Sequence, residues 1–174
     1  EKRTATPEEQ IILARYVGWG GLANAFSSTA SGWENEYQEL KSLLTDVEYK
    51  AAMNSTITAY YTEPDLIRHI YRALERFGFE GGPDRKILDP GMGTGNFYSV
   101  LPEQFQGSKL FGVELDSITG RIAKQLYPDA DISIMGYEAT KFEDNSFDVI
   151  LGNIPFNSVK IYDRRYNDLE PVHP

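Results

Sequence analysis

The 174-residue sequence contains no cysteine, which removes disulfides, thiolate metal sites and cysteine nucleophiles and suits an intracellular protein. It has two histidines, His69 on the polar side of a helical pattern and His173 in the tail, and no His/Asp/Glu cluster with metal-ligand spacing. No apolar run approaches the roughly 20 residues of a membrane span and no signal-peptide pattern opens the chain, so a cytoplasmic location is expected. Positive charge is scarce: 17 Lys and Arg against 26 Asp and Glu leave a formal charge of −9 and a pI near 4.7. Duplex binding is driven largely by Lys and Arg neutralising phosphates, so this composition argues against a free-standing nucleic-acid binder; any basic surface must come mostly from elsewhere. Internal repeats and low-complexity segments are also missing. The 41% of apolar residues is enough to bury one ordinary core with an appendage. The opening at Glu1 and the abrupt end at Pro174 lead us to expect a piece of something longer.

Residues 1–56 read as a helical N-terminal appendage. Thr6-Pro7-Glu8-Glu9 combines a Thr cap, Pro at the first helical position and Glu three residues after the cap. Ile11, Ile12, Tyr16 and Trp19 then suggest an apolar face, ended by Gly18-Trp19-Gly20-Gly21. A second helix is expected from about Trp33 to Leu44, and a third opens at the capping box Thr45-Asp46-Val47-Glu48.

Residues 57–174 read as an α/β core. Thr62-Glu63-Pro64-Asp65 is another expected box, opening a helix that keeps Leu66, Ile67, Ile70, Tyr71, Leu74 and Phe77 on helical spacing. Four strand-like runs follow: Lys86 to Asp89, Lys109 to Asp116, Asp131 to Met135 and Phe147 to Gly152. Ile118, Ile122 and Leu126 mark a helix between the second and third. Strands alternating with helices predict a parallel, doubly wound sheet.

The loop after the first strand carries glycines at 91, 93 and 95, preceded by Asp89, and lets the backbone turn tightly and come close to a ligand. A dinucleotide site would want G-x-G-x-x-G; here the spacing is G-x-G-x-G. Glu114, at the end of the second strand, can accept hydrogen bonds from both hydroxyls of a ribose, with Asp116 as the nearby competitor. Together the loop and Glu114 point to an adenosine-containing ligand.

After the fourth strand comes Asn153-Ile154-Pro155-Phe156. An adenine amino group is a poor nucleophile, because its lone pair is delocalised into the ring. An Asn side-chain oxygen and a backbone carbonyl, here that of Ile154, can each accept one of its N–H bonds and favour the pyramidal nitrogen needed for attack on a sulfonium methyl. Pro155 would stiffen the turn, and Phe156 offers a face on which an extruded base can stack. Upstream, Ala59-Tyr60-Tyr61-Thr62-Glu63-Pro64 is on its own a capped helix start with two aromatics.

Taken in order, the Tyr61-Thr62 run, the Asp89-to-Gly95 loop, Glu114 and the Asn153 tetrapeptide resemble an adenine-amino DNA methyltransferase dependent on S-adenosylmethionine, of the gamma motif order. The wider pattern, with Tyr16-Val17-Gly18-Trp19-Gly20-Gly21-Leu22 and Val159 to Tyr166, resembles the methylase region of large phage, plasmid and mobile-element proteins that also carry a Swi/Snf-like helicase. That resemblance implies a Rossmann-like methyltransferase sheet, C-terminally incomplete, with strand order 3-2-1-4. It also implies that Tyr61, Thr62, Asp89, Gly91 and Gly93 meet the cofactor's amino acid end, that Glu114 meets its ribose and that Glu138 reads its adenine. Members of that family usually have Pro where Ile154 stands; the acceptor needed there is a backbone carbonyl, which Ile retains.

Lys160, Arg164 and Arg165, interleaved with Tyr162 and Tyr166, suit either a solvated loop or contacts to phosphates and bases. DNA, met through the full-length protein, is the expected partner. Methylation of RNA or of a protein glutamine, or a catalytically silent cofactor-binding domain, are the alternatives. The fourth strand is expected to form an uncovered apolar edge that invites self-association, and residues 1–174 alone are expected to methylate DNA little or not at all.

Overall fold

A computed structural model describes residues 3–57 and 59–154 of the chain. Helix α1 (Pro7–Leu13) begins at the expected capping box. The Thr6 hydroxyl accepts from the Glu9 amide at 3.3 Å, and the Glu9 carboxylate accepts from the Thr6 amide at 2.8 Å. Its Ile11 and Ile12 do not form the expected inward face; both are exposed. Gln10 instead donates to the carbonyl of Gln125 at 2.7 Å, so the helix is attached by polar bonds. Helices α2 (Glu34–Leu43) and α3 (Asp46–Ser55) follow, the latter opened by the Thr45–Glu48 box. They enclose a small cluster of Ala25, Phe26 and Ala52, with Trp19, Trp33, Leu40, Leu44 and Tyr49 around it.

Helix α4 (Pro64–Arg76) departs from the expected box. Pro64 stands in its first turn and Glu63 is the cap, without a side-chain cap bond; the Thr62 hydroxyl is buried with no partner. Of the spaced apolar row, Ile67 and Tyr71 are fully buried and Ile70 and Leu74 pack partly, whereas Leu66 and Phe77 face solvent.

The strands β1 (Lys86–Asp89), β2 (Lys109–Glu114), β3 (Asp131–Ile134) and β4 (Val149–Ile150) form one parallel sheet in the expected order, β3-β2-β1-β4. A four-residue helix, α5 (Asn96–Ser99), follows the glycine loop after β1. Strand β2 stops before the expected Asp116 because that side chain caps α6 (Ser117–Leu126), accepting from the amides of Ile118 and Thr119. The large residues Ile118, Ile122 and Leu126 are not the face α6 buries most deeply. Thr119, Gly120 and Ala123 are, because small residues let the helix settle close to the sheet: a methyl group on Gly120 would lie 2.9 Å from Ile134 Cγ1.

Strand β4 is shorter than its apolar run. Phe147 leaves the ladder for an edge-to-face ring cluster with Phe111 and Phe142, at 5.2 and 4.9 Å between centroids. Hydrogen bonds from Asp148 N to Lys86 O and from Leu151 N to Leu88 O still hold both flanks of β4 to β1. Below the sheet Tyr71, Phe79 and Phe105 pack ring to ring. Among the described residues no helix is long and apolar enough to cross a membrane.

Candidate cofactor and methyl-acceptor site

The strand order reverses direction beside β1, where β4 lies on one flank and β2 on the other. In open parallel sheets the crevice outside the carboxyl ends at such a point is the natural ligand site. Asp89 ends β1, Glu114 ends β2 and Asn153 follows β4, so three of the expected site residues lie on this one rim.

The loop between β1 and α5 is shaped by a few backbone bonds. Asp89 Oδ1 accepts from the Gly91 amide at 3.2 Å, an Asx turn that starts the bend. Met92 then folds back over β2: its amide donates to Val113 O at 3.0 Å, and its thioether fills the space above Gly112. Gly93 and Gly95 have φ of 56° and 91°, the left-handed region that glycine adopts without steric cost. The Tyr127 hydroxyl donates to Gly95 O at 2.9 Å, and its ring covers Gly95 so closely that a methyl group there would lie 2.3 Å from Cε2.

Glu114 faces this loop. Its Oε2 accepts from the Gly93 amide at 2.9 Å and its Oε1 from the Asp116 amide at 2.7 Å. A carboxylate offers about four acceptor positions, so two remain for a pair of ligand hydroxyls. Burial raises the pKa of Glu114, against the pull of those two amides. Burial likewise pushes Asp89 up to about 7, the Gly91 amide opposing and the Glu114 charge reinforcing. A buried and a half-buried carboxyl beside a bare glycine backbone form an electron-rich pocket suited to a ligand with a cationic group and a diol.

Tyr61 stands over the loop, with its Cε1 2.9 Å from where a methyl group on Gly93 would be. Burial and then the Glu114 charge push its hydroxyl up to about 12. The neighbouring Thr62 hydroxyl, buried and unpartnered, is one that a ligand group would satisfy; left alone, such a group costs about 1–3 kcal/mol.

On the other side of β1, Gly152 packs against Asp89: a methyl group there would lie 2.5 Å from Oδ1. The next residue, Asn153, donates from Nδ2 to Tyr60 O at 3.2 Å. That bond uses the amide's donor end and leaves the acceptor Oδ1 available. Ile154 is exposed, whereas Pro155, Phe156 and the Lys160-to-Tyr166 segment lie outside the described residues. Glu138 is exposed in a short 3-10 turn, Tyr137–Ala139, after β3. It shares the rim but makes no hydrogen bond to the loop.

Several supports of the site escaped sequence reasoning. Tyr98 donates to the carbonyls of Ile87, at 3.3 Å, and Phe111, joining β1 to β2 beneath the loop. Tyr127 secures Gly95, and Tyr71 donates to Phe97 O at 2.9 Å. Each is an aromatic at ordinary core spacing, with no local signal that its hydroxyl has a task.

A model of the methyltransferase domain matches residues 87–166, the stretch from β1 through the glycine loop and past Asn153. The chain is 27% identical over 155 residues to the Defense against restriction protein B of Escherichia phage P1, covering 88% of this chain and 5% of that protein. It is 32% identical over 78 residues to the Modification methylase CviBIII of Paramecium bursaria Chlorella virus NC1A, covering 45% of this chain and 21% of the methylase. Among solved structures, a putative RNA methyltransferase, PH1948, from Pyrococcus horikoshii superposes with a TM-score of 0.50 at 14% identity, over 92% of this chain and 65% of that one. That likeness establishes the Rossmann-like fold. The chain thus spans only a small part of the length of the curated relatives it matches.

Proposed function

We propose that this methyltransferase domain, whose cofactor is S-adenosylmethionine, methylates the exocyclic amino group of adenine in DNA as part of a larger protein. The observation that carries the reading is the placement of Asn153. The residue stands on the rim beside the glycine loop, and its amide is oriented by Tyr60 so that a carbonyl oxygen is left to accept a hydrogen bond.

The cofactor supplies an electrophilic methyl on a sulfonium sulfur. The chain's part is to hold the acceptor nitrogen in line. Asn153 Oδ1 and the Ile154 carbonyl each take one amino N–H, so the nitrogen lone pair is turned from the ring toward the methyl. Tyr61, Thr62, Asp89, Gly91 and Gly93 hold the cofactor's amino acid end, Glu114 its ribose and Glu138 its adenine edge. Phe156 is the residue to offer a stacking face to a base drawn out of the duplex.

The relatives favour DNA as substrate: one is a phage protein of restriction defence and the other a viral modification methylase. The charge of −9 supports a reading in which the main phosphate-binding surface lies in other parts of the protein. The test is transfer of labelled methyl by the full-length protein to unmethylated DNA, with RNA and protein as parallel substrates. Asn153→Ala is expected to abolish transfer to DNA and leave cofactor affinity nearly intact, because its oxygen serves only the reacting amine. Transfer to RNA or protein alone, or wild-type rates in the variant, would overturn the reading.

A further inference from the structure

The run Tyr16 to Leu22 is unexplained by helix formation, since α1 ends at Leu13. Its three glycines each meet the 56–61 segment. Gly21 donates to Thr56 O at 3.0 Å, and Gly20 lies so close to Ala59 that a methyl group would fall 2.0 Å from the carbonyl oxygen. Gly18, at φ 72°, abuts Tyr61: a methyl group there would be 2.8 Å from both Cε2 and the hydroxyl. Gly93 touches the opposite ring edge, at Cε1. The Tyr61 ring is therefore wedged between a glycine of the loop and a glycine of this run.

Tyr16 makes a second attachment. Its hydroxyl lies 3.2 Å from Thr119 Oγ1, which in turn donates to Asp116 Oδ2, and the Asp116 amide is bonded to Glu114. Burial raises the Tyr16 pKa against the Thr119 bond, and the charges of Asp116, Tyr61 and Glu114 act in the same direction as burial. Thr119 is the group bonded to the Tyr16 hydroxyl, and the Asp116, Tyr61 and Glu114 groups lie close enough for their charges to act on it. Trp19 lies edge-on to Tyr16 at 6.0 Å, with its indole N–H buried and unpartnered.

We propose that residues 16–21 form a wall of the cofactor pocket, in which Gly18 seats Tyr61 over the glycine loop and Tyr16 acts as a positioning residue for Glu114 through Thr119 and Asp116. The inference rests on the cofactor reading above and deepens it: the helical appendage contributes to ligand binding rather than standing apart from it. Gly18 is required because any side chain would drive the Tyr61 ring toward Gly93, where no clearance exists.

The experiment measures calorimetric affinity for the demethylated cofactor, S-adenosylhomocysteine, alongside Trp19 fluorescence in a Trp33→Phe background, which leaves one of the two tryptophans. Gly18→Ala should weaken binding at least about tenfold, by displacing Tyr61, and Tyr16→Phe by about three- to tenfold, as expected for one lost hydrogen bond. Tyr16→Phe keeps the ring and serves where Gly18→Ala fails to fold. Trp19 emission should change as ligand saturates. Thr6→Ala, which loosens α1 without touching the wall, should leave affinity unchanged. Wild-type affinity in Tyr16→Phe with silent Trp19 emission would overturn the inference while leaving the cofactor reading intact. Equal loss in Thr6→Ala would reduce residues 16–21 to a structural role and overturn it as well. Absence of binding by the wild-type protein would overturn the cofactor reading itself, and the inference with it.

Discussion

The helices before residue 57 and the sheet that follows treat their carboxylates in opposite ways. In the first region Glu34 is exposed and Glu9 and Glu48 are half-buried, all three with lowered pKa values. Arg3 and the Thr6 amide bring Glu9 to about 2; the Glu34 and Gly32 amides lower Glu34; and the amide and hydroxyl of Thr45 lower Glu48. In the second, Asp89 is enclosed and Glu114 half-buried, and both pKa values are raised, burial being the largest cause in both. Capping carboxylates are served by local sequence and favour the folded state as anions. Site carboxyls are held where the anion is disfavoured, which makes them responsive to a cationic or hydroxylated ligand. The contrast extends to apolar residues: Ile12 and Val47 of the helical region are 66% and 75% exposed, while Ile67, Tyr71 and Phe105 of the core are at 0%.

The largest expected effect comes from emptying the better-buried side. Phe105→Ala removes a ring packed against Tyr71 and Phe79, and should cost about 3–5 kcal/mol in urea unfolding. A loss below about 1 kcal/mol would mean that the sheet is no better packed than the appendage.

The pH response comes next. The folded pKa of Asp89 is near 7 against 3.8 for the free group, so its contribution to stability is fully present below about 4 and is lost as pH rises through 7. At about 1.4 kcal/mol per unit this amounts to a few kcal/mol. The lowered Glu9 acts with the opposite sign, its contribution being lost as pH falls from 4.5 toward 2. Asp89→Asn keeps an acceptor for the Gly91 amide and should flatten the decline between pH 4 and 7, seen as thermal midpoints across that range. An unchanged slope would assign it to another group.

Thr45→Ala should cost about 1 kcal/mol, the usual worth of a cap, and should lower the helical signal at 222 nm without altering the pH profile above 5. Ile12→Lys, on an exposed face of α1, should change stability by less than about 0.5 kcal/mol in the same denaturation assay. A greater loss would show that α1 does bury an apolar stripe in solution.

The same division explains what was legible in sequence. Capping boxes at Thr6 and Thr45 act over three residues, and both formed as expected. The glycine loop could be read because strand, turn and acid stand at short, fixed offsets, whereas the sheet order, a matter of long-range pairing, was legible only through the resemblance to methyltransferases. The box expected at Thr62 failed because the cap falls on Glu63, one residue before Pro64. The inward row of α6 could not be read, because counting large apolar residues chooses Ile118 and Ile122, whereas close approach to the sheet selects Thr119, Gly120 and Ala123. The link from Tyr16 to Thr119 spans 103 positions and leaves no local trace.

The thin attachment of β4 carries a kinetic consequence. β1, the glycine loop, β2, α6 and β3 are successive in the chain, so their contacts close short loops. The β4 ladder pairs Ile87 with Val149 and Leu88 with Ile150 across most of the domain. Closing the longer loop costs more chain entropy before any contact repays it, so we expect β4 to join last during folding. Pulse-labelled hydrogen exchange should then protect the Met92 amide, bonded to Val113, before the Leu151 amide, bonded to Leu88; the reverse order would refute this sequence of events. A nascent chain would on that account shape the β1–β2 glycine loop first, and bring Asn153 to the same rim only when β4 docks.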